Sequence, residues 1–332
     1  MIFFINFIRF LASCFITNAH YIGIYPTDYI AHGGIIGNIL FFAVSGYCLY
    51  NIKLNFYKWY LKRVFRVYYP IIIITIIYSY IGYYNLSDSG FIYNFIYPTN
   101  YTFLSAIVIL YIPYYFFIKL KNRFTFISND KYLKLLFCSL FIAFILIYIF
   151  LFDKSYYHID DVNQLSVLPL YFESMIIGAW FRENENKFRN NSKRIYLLII
   201  LILFPLYFAS KYFFNRHQEY SYFQIFNQLI VFSIMFFIFR YVMGIDSKLD
   251  NLPKLLKSII NYIAKITLEI YVVQHCIISF FVSINLPFPI NWILLTLSII
   301  AAASLLHFFI ELTIKIFNTL FKKAKNKIKG NY

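Results

Sequence analysis

Apolar blocks long enough to cross a bilayer recur along this chain, and the segments joining them alternate between strongly basic and nearly uncharged. A helix needs about twenty apolar residues to span the hydrocarbon core. Ten such blocks can be drawn, at 2–22, 35–52, 68–85, 101–118, 133–152, 166–181, 194–212, 222–241, 258–281 and 290–314. Segments after even-numbered blocks carry Lys53, Lys58, Lys62, Arg63 and Arg66, then Lys119, Lys121, Arg123, Lys131 and Lys134, then Arg182, Lys187, Arg189, Lys193 and Arg194, then Arg240, Lys248, Lys254 and Lys257. Segments after odd-numbered blocks hold only Lys154, Lys211 and Arg216. Cationic loops stay on the cytoplasmic side, so the alternation predicts an all-α, polytopic membrane helix bundle of about ten spans with both termini cytoplasmic. One miscounted span would scramble the pattern downstream of it. Residues 1–314 then form a single transmembrane domain, and 315–332 a basic cytoplasmic tail whose Lys322–Lys329 run anchors to the inner leaflet.

Composition agrees. The chain is 61% hydrophobic and 13% charged, about half the charged fraction of a soluble domain. A net charge of +16 is the consequence of basic inner loops rather than a footprint for nucleic acid. Cys14, Cys48, Cys138 and Cys276 all lie in apolar blocks with no CxxC or Cys/His grouping, which argues against a disulfide framework or a metal site. The first block lacks a basic leader and a small-residue cleavage site and reads as a retained span. No internal repeat of the transporter kind is visible, and the outer loops, of which the largest runs from about Asp153 to Leu165, are too short for a glycan polymerase or ligase to grip its substrate.

Charged and titratable residues inside the blocks are costly and need a reason. Arg9 and His20 lie eleven positions apart in the first block; in a helix that spacing returns to one face with roughly 16 Å of rise between them. A snorkelling arginine and an interfacial histidine are the bland alternatives. Arg63 and Arg66 fall one helical turn apart beside Lys62, a spacing suited to clamping phosphate or carboxylate, although a basic inner loop follows from topology alone. Ser45-Gly46 is a small pair of the kind that lets helices approach closely. Glu173 in the sixth block reads equally as an acceptor-binding group or as half of a structural pair. Lys265 and Glu269 stand four apart, which predicts an internal ion pair. His275 points either to a site or to a carbonyl, and Glu311 anchors a basic segment. Asp28, His32, Asp88, His158, Asp160, Asp161 and His217 belong to loops and need no special account.

In order along the chain, these residues fall into a pattern. Arg9 to His20, Phe41-Phe42-Ala43-Val44-Ser45-Gly46-Tyr47, Arg63-Val64-Phe65-Arg66 leading to Pro70, Pro98 with Phe103 to Pro113, Ile263 to His275, and His307 to Glu311 together resemble the acyltransferase-3 family of integral-membrane acyltransferases. Tyr47 and Thr267 depart from the family's Phe and Ser, and its tryptophan before the fourth-helix segment is absent. The resemblance implies an O-acyltransferase in the inner membrane of a bacterium. It would take an acyl-CoA, most often acetyl-CoA, from the cytoplasm and acylate a hydroxyl of a surface glycan (O-antigen, capsule or exopolysaccharide) at the outer face, without a metal. On this reading Arg63, Arg66 and Lys62 take coenzyme phosphates, and Arg9 holds a pyrophosphate or pantetheine carbonyl. His20 serves as general base or, alternatively, as an acylated nucleophile. Candidate oxyanion donors are His275, Tyr271, Ser45 or a backbone amide. Glu173, Ser45 and His275 are the candidate substrate-binding residues. A glycan polymerase or ligase, or a polysaccharide transporter, is the rival reading.

Overall fold

The structure is a computed structural model that describes residues 2–85, 101–123, 130–151, 164–284 and 286–329, with Gly90 and Phe95. Asp88, Pro98, Lys154, His158, Asp160 and Asp161, and the side chains of the Lys322–Lys329 run, lie outside the described residues. Among the described residues there is no strand. Ten helices of sixteen residues or more run through the described residues in the order α1 Phe3–Ala19, α2 Gly34–Leu49, α3 Phe56–Tyr80, α4 Thr102–Arg123, α5 Asp130–Leu151, α6 Gln164–Glu183, α7 Arg194–Arg216, α8 Ile225–Gly244, α9 Thr267–Ile284 and α10 Ile290–Lys329. Short helices Glu185–Phe188, Asp246–Asp250 and Lys254–Lys265 lie between α6 and α7 and between α8 and α9. Six stretches are long and apolar enough to cross a membrane by length and composition: Asp28–Leu49, Thr102–Arg123, Arg194–Arg216, Ile225–Gly244, Thr267–Ile284 and Ile290–Ile316. The protein is an all-α, polytopic membrane bundle.

Two elements depart from the expected boundaries. Helix α3 begins twelve residues before the third apolar block, so the expected loop around Lys62, Arg63 and Arg66 is helical. The Asn55 side chain caps its N-terminus by accepting the Lys58 amide N–H at 3.2 Å. Phe56 and Trp59 then pack on Tyr115 of α4 at 5.2 and 5.3 Å between ring centroids, which gives this charged stretch an apolar face. The ninth block is interrupted at Ile266, which ends Lys254–Lys265 before α9 starts at Thr267.

Close helix contacts rest on small residues. A side chain at Gly46 of α2 would collide with the Met175 carbonyl of α6, and one at Gly178 of α6 with the Ala43 carbonyl of α2. The Ser45-Gly46 pair thus sits at the tightest part of the α2–α6 crossing. Farther along the same crossing, Phe42 stacks on Tyr171 at 4.3 Å between centroids, and Tyr171 accepts a hydrogen bond from Asn38 Nδ2 at 3.0 Å. Helix α1 meets α2 at Gly37, where a Cβ would come within 2.6 Å of the Ala12 carbonyl.

Ion pairs gather on the segments that the sequence marks as basic. Lys121 pairs with Glu183 at 2.9 Å, Arg182 with Glu185, Arg189 with Asp246 at 2.7 Å, Lys257 with Asp250 at 3.2 Å and Lys265 with Glu311 at 2.7 Å. Asp246 also accepts the Phe4 amide N–H at 3.2 Å, which ties the start of α1 to the end of α8.

Candidate active site

A cavity of about 1010 Å3 opens between α1, α2, α3, α4, α9 and α10. Its mouth is lined by Lys62, Arg63 and Arg66 of α3 and by Lys265 and Glu311. Lys62 and Arg66 are exposed and Arg63 is half-buried. None of the three makes an ion pair or hydrogen bond among the described residues, and Arg63 Nε is a buried donor without an acceptor. Positive-inside topology predicts basic residues but not this contrast. Four cations of the basic segments, Lys121, Arg182, Arg189 and Lys257, hold carboxylates, whereas Lys62, Arg63 and Arg66 at the mouth hold none among the described residues.

Deeper in, the wall is formed by one stripe of α1: Arg9, Ser13, Ile16 and Thr17. Arg9 Nη2 donates to Thr267 Oγ1 at 3.3 Å, at the first residue of α9. Ser45 of α2 also lines the cavity, with Phe41, Cys48 and Tyr111. The far end is reached at Thr17, Phe103 and Tyr271; the rings of Phe103 and Tyr271 meet edge to face at 5.5 Å.

His20 and His275 lie just beyond that end and do not line the cavity. His20 caps α1, three residues past Thr17, and its amide N–H donates to the Thr17 carbonyl at 3.1 Å. Its ring meets that of His275 edge to face, with centroids 4.7 Å apart. Tyr101 and Tyr271 pack on His275 at 6.1 and 6.0 Å. The structure thus places Arg9, Ser45, Lys62, Arg63 and Arg66 around one cavity, and His20 with His275 outside its lining, where Tyr271 both lines the cavity and packs on His275.

Glu173 is not brought to this site. It is 2% exposed and its Oε2 has no partner among the described residues. The residues of α6 that meet α2 are Tyr171, Met175 and Gly178, and position 173 falls on the opposite side of the helix.

The expected Lys265–Glu269 pair does not form. The break at Ile266 takes Lys265 out of helical register with Glu269, so the i, i+4 geometry is lost. Lys265 turns to Glu311 at 2.7 Å, as a basic partner for that glutamate, while Glu269 Oε1 meets His307 Nδ1 at 2.7 Å. His307 Nε2 in turn meets Glu311 at 3.1 Å. The result is a chain Glu269–His307–Glu311–Lys265 along the cavity wall, joining α9 to α10. Sequence reasoning missed His307 as a site residue; its i, i+4 spacing to Glu311 was the available signal. Only the imidazolium has two N–H groups and can donate to both carboxylates at once.

Replacing His307 with Leu leaves the Glu269 carboxylate, 5% exposed, without that partner. The expected result is a lower melting temperature in detergent, equivalent to about 1–3 kcal/mol for a buried group left unsatisfied. His307→Gln, which keeps one donor, should recover part of it. A Leu variant that melts with the parent would show that the chain is not structural.

Cys14, Cys48, Cys138 and Cys276 are free thiols. No grouping of three or more His, Cys, Asp or Glu suited to a metal occurs among the described residues. No curated protein and no solved structure matches the chain. The family model of the acyltransferase domain, that of the acyltransferase-3 family, does match, and it covers residues 2–310. With that match spanning nearly every helix of a bundle whose apolar helices are of membrane length, the chain belongs to the acyltransferase-3 family and is a membrane acyltransferase.

Proposed function

We propose that the protein transfers an acyl group, most readily acetyl, from cytoplasmic acyl-CoA to a hydroxyl of a surface glycan at the outer face of a bacterial inner membrane. The observation that carries this reading is the set of uncompensated cations, Lys62, Arg63 and Arg66, at the mouth of a cavity large enough for a nucleotide and its arm. Sidedness follows from the charge alternation, which puts that mouth in the cytoplasm. Guanidinium groups make charge-assisted, bidentate contacts with phosphate, and an acyl-CoA brings both phosphates and a thioester on an extended tether. Arg9, inside the cavity, is placed for a pyrophosphate oxygen or a pantetheine carbonyl. The rise from Arg9 to His20, roughly 16 Å along α1, is comparable to the length of that tether.

At the far end His20 acts as general base. It takes the proton of the acceptor hydroxyl as the oxygen attacks the thioester carbonyl. An acylated His20 is the competing route to the same product. Either route requires the thioester to pass beyond the cavity lining to reach the histidines.

The test uses the full chain in lipid vesicles, with radiolabelled acetyl-CoA inside reach of the mouth and the polysaccharide fraction of the producing cell as acceptor. Label should appear on polysaccharide. In the double variant Arg63→Ala/Arg66→Ala the donor KM should rise at least about tenfold at low salt, given about 1.5 kcal/mol or more per lost charge-assisted hydrogen bond, with kcat changed much less. An unchanged donor KM would remove the cations from the donor site, and no label on polysaccharide would remove the reaction.

A further inference from the structure

We infer that His275 is a second catalytic residue: its Nε2–H is the donor that receives the oxyanion formed when the acceptor attacks the thioester. This deepens the acyl-transfer reading above and rests on it.

The case starts from an unsatisfied atom. His275 Nε2 is buried and has no hydrogen-bond partner among the described residues, and a buried polar atom without one is costly. The hydroxyl protons of Tyr78 and Tyr101 are directed to backbone carbonyls. Tyr78 Oη donates to the Val273 carbonyl at 2.7 Å, and Tyr101 Oη to the Val272 carbonyl at 3.3 Å. The polar backbone atom of the same residue is also occupied, since the His275 carbonyl accepts from Ser279 Oγ at 3.0 Å. What remains is a ring held in an aromatic box by Tyr101 and Tyr271, with Nε2 unused and the His20 ring 4.7 Å away. A purely structural histidine would be expected to hydrogen-bond a carbonyl or hydroxyl of that box.

Two imidazoles in contact at this separation can both reach one tetrahedral centre that lies alongside them. The hydroxyl oxygen of the acceptor bonds to the carbonyl carbon while its proton passes to His20. The carbonyl π electrons move onto oxygen, and that oxyanion accepts the hydrogen bond from His275 Nε2. On collapse the C=O bond reforms, the C–S bond breaks, and the departing thiolate takes the proton from His20. The products are an ester and coenzyme A thiol, and His275 ends as it began. A fixed donor in a dry, aromatic surrounding is the arrangement that stabilises developing charge most strongly, at about 10²–10³-fold in kcat per donor.

The decisive variant is His275→Phe, which keeps a ring in the box and removes both nitrogens. In the vesicle assay with labelled acetyl-CoA and the polysaccharide fraction, kcat should fall about 10²-fold while the donor KM stays within about twofold. His275→Gln, which restores an N–H donor, should exceed the Phe variant by about tenfold. If His275→Phe fails to enter the membrane, His275→Met is smaller, also lacks a donor, and carries the same expectation. A Phe or Met variant turning over within threefold of the parent overturns the assignment, as does a Gln variant no better than Phe. In both cases a parent that still labels polysaccharide leaves the acyl-transfer reading standing. A parent that transfers no label overturns both.

Discussion

His20→Ala protein should insert into the membrane and take up labelled acetyl-CoA like the parent, yet transfer its acyl group about 10³-fold more slowly. The size follows from losing a positioned general base, which is worth about 10²–10⁴-fold. Donor uptake should survive because the cations of the mouth are on α3, remote from the end of α1 where His20 sits. The same experiment separates the two chemical routes. If His20 carries the acyl group, brief exposure of the parent to labelled donor without acceptor leaves label on the protein that His20→Ala lacks. If it acts as a base, neither protein is labelled. An alanine variant that inserts normally and turns over at the parental rate would remove His20 from the mechanism.

Alanine at Gly178 should have a comparable effect on the fold itself. The new methyl group would enter the space of the Ala43 carbonyl, and the Tyr47 amide lies at 2.9 Å from the same point. Both neighbours are helical backbone and cannot swing aside as a side chain would. Overpacking in a close-packed interior costs about 1–3 kcal/mol even where side chains can yield, so two rigid helices forced apart place this substitution at the upper end or beyond. Size-exclusion chromatography in mild detergent should show loss of the monodisperse peak, and Gly46→Ala should behave alike from the other side of the crossing. A Gly178→Ala protein with parental yield and melting temperature would mean that α2 and α6 are not locked together here.

The bundle was legible because its cause is one-dimensional. Apolar length decides what can enter a bilayer, and the sign of the joining segments decides their side, so both can be counted along the chain. The pairing of Arg63 with Arg66 on one face was legible for a similar reason: they are one turn apart whichever helix they face. What was hidden depends on neighbours far away in sequence. Lys265 and Glu269 look like partners until Ile266 breaks the helix and each finds a residue of α10 instead. The start of α3 at Phe56 is capped by Asn55 and packed on the distant Tyr115 of α4, and no local hydropathy reports it. The meeting of His20 with His275 joins the two ends of the chain. Spacing put Arg9 and His20 on one helical face, yet it could not show that only the first of them lines the cavity.

The uneven distribution of counter-charges at the entrance has a metabolic corollary. On the proposed reading, Lys62, Arg63 and Arg66 address only the part of the donor that reaction leaves untouched, since loaded and spent coenzyme carry identical phosphates. An entrance built this way holds both with similar strength, so the leaving product should act as a competitive inhibitor against its own precursor. Turnover in the cell would then follow the ratio of thioester to free thiol in the surrounding pool more closely than the absolute amount of either.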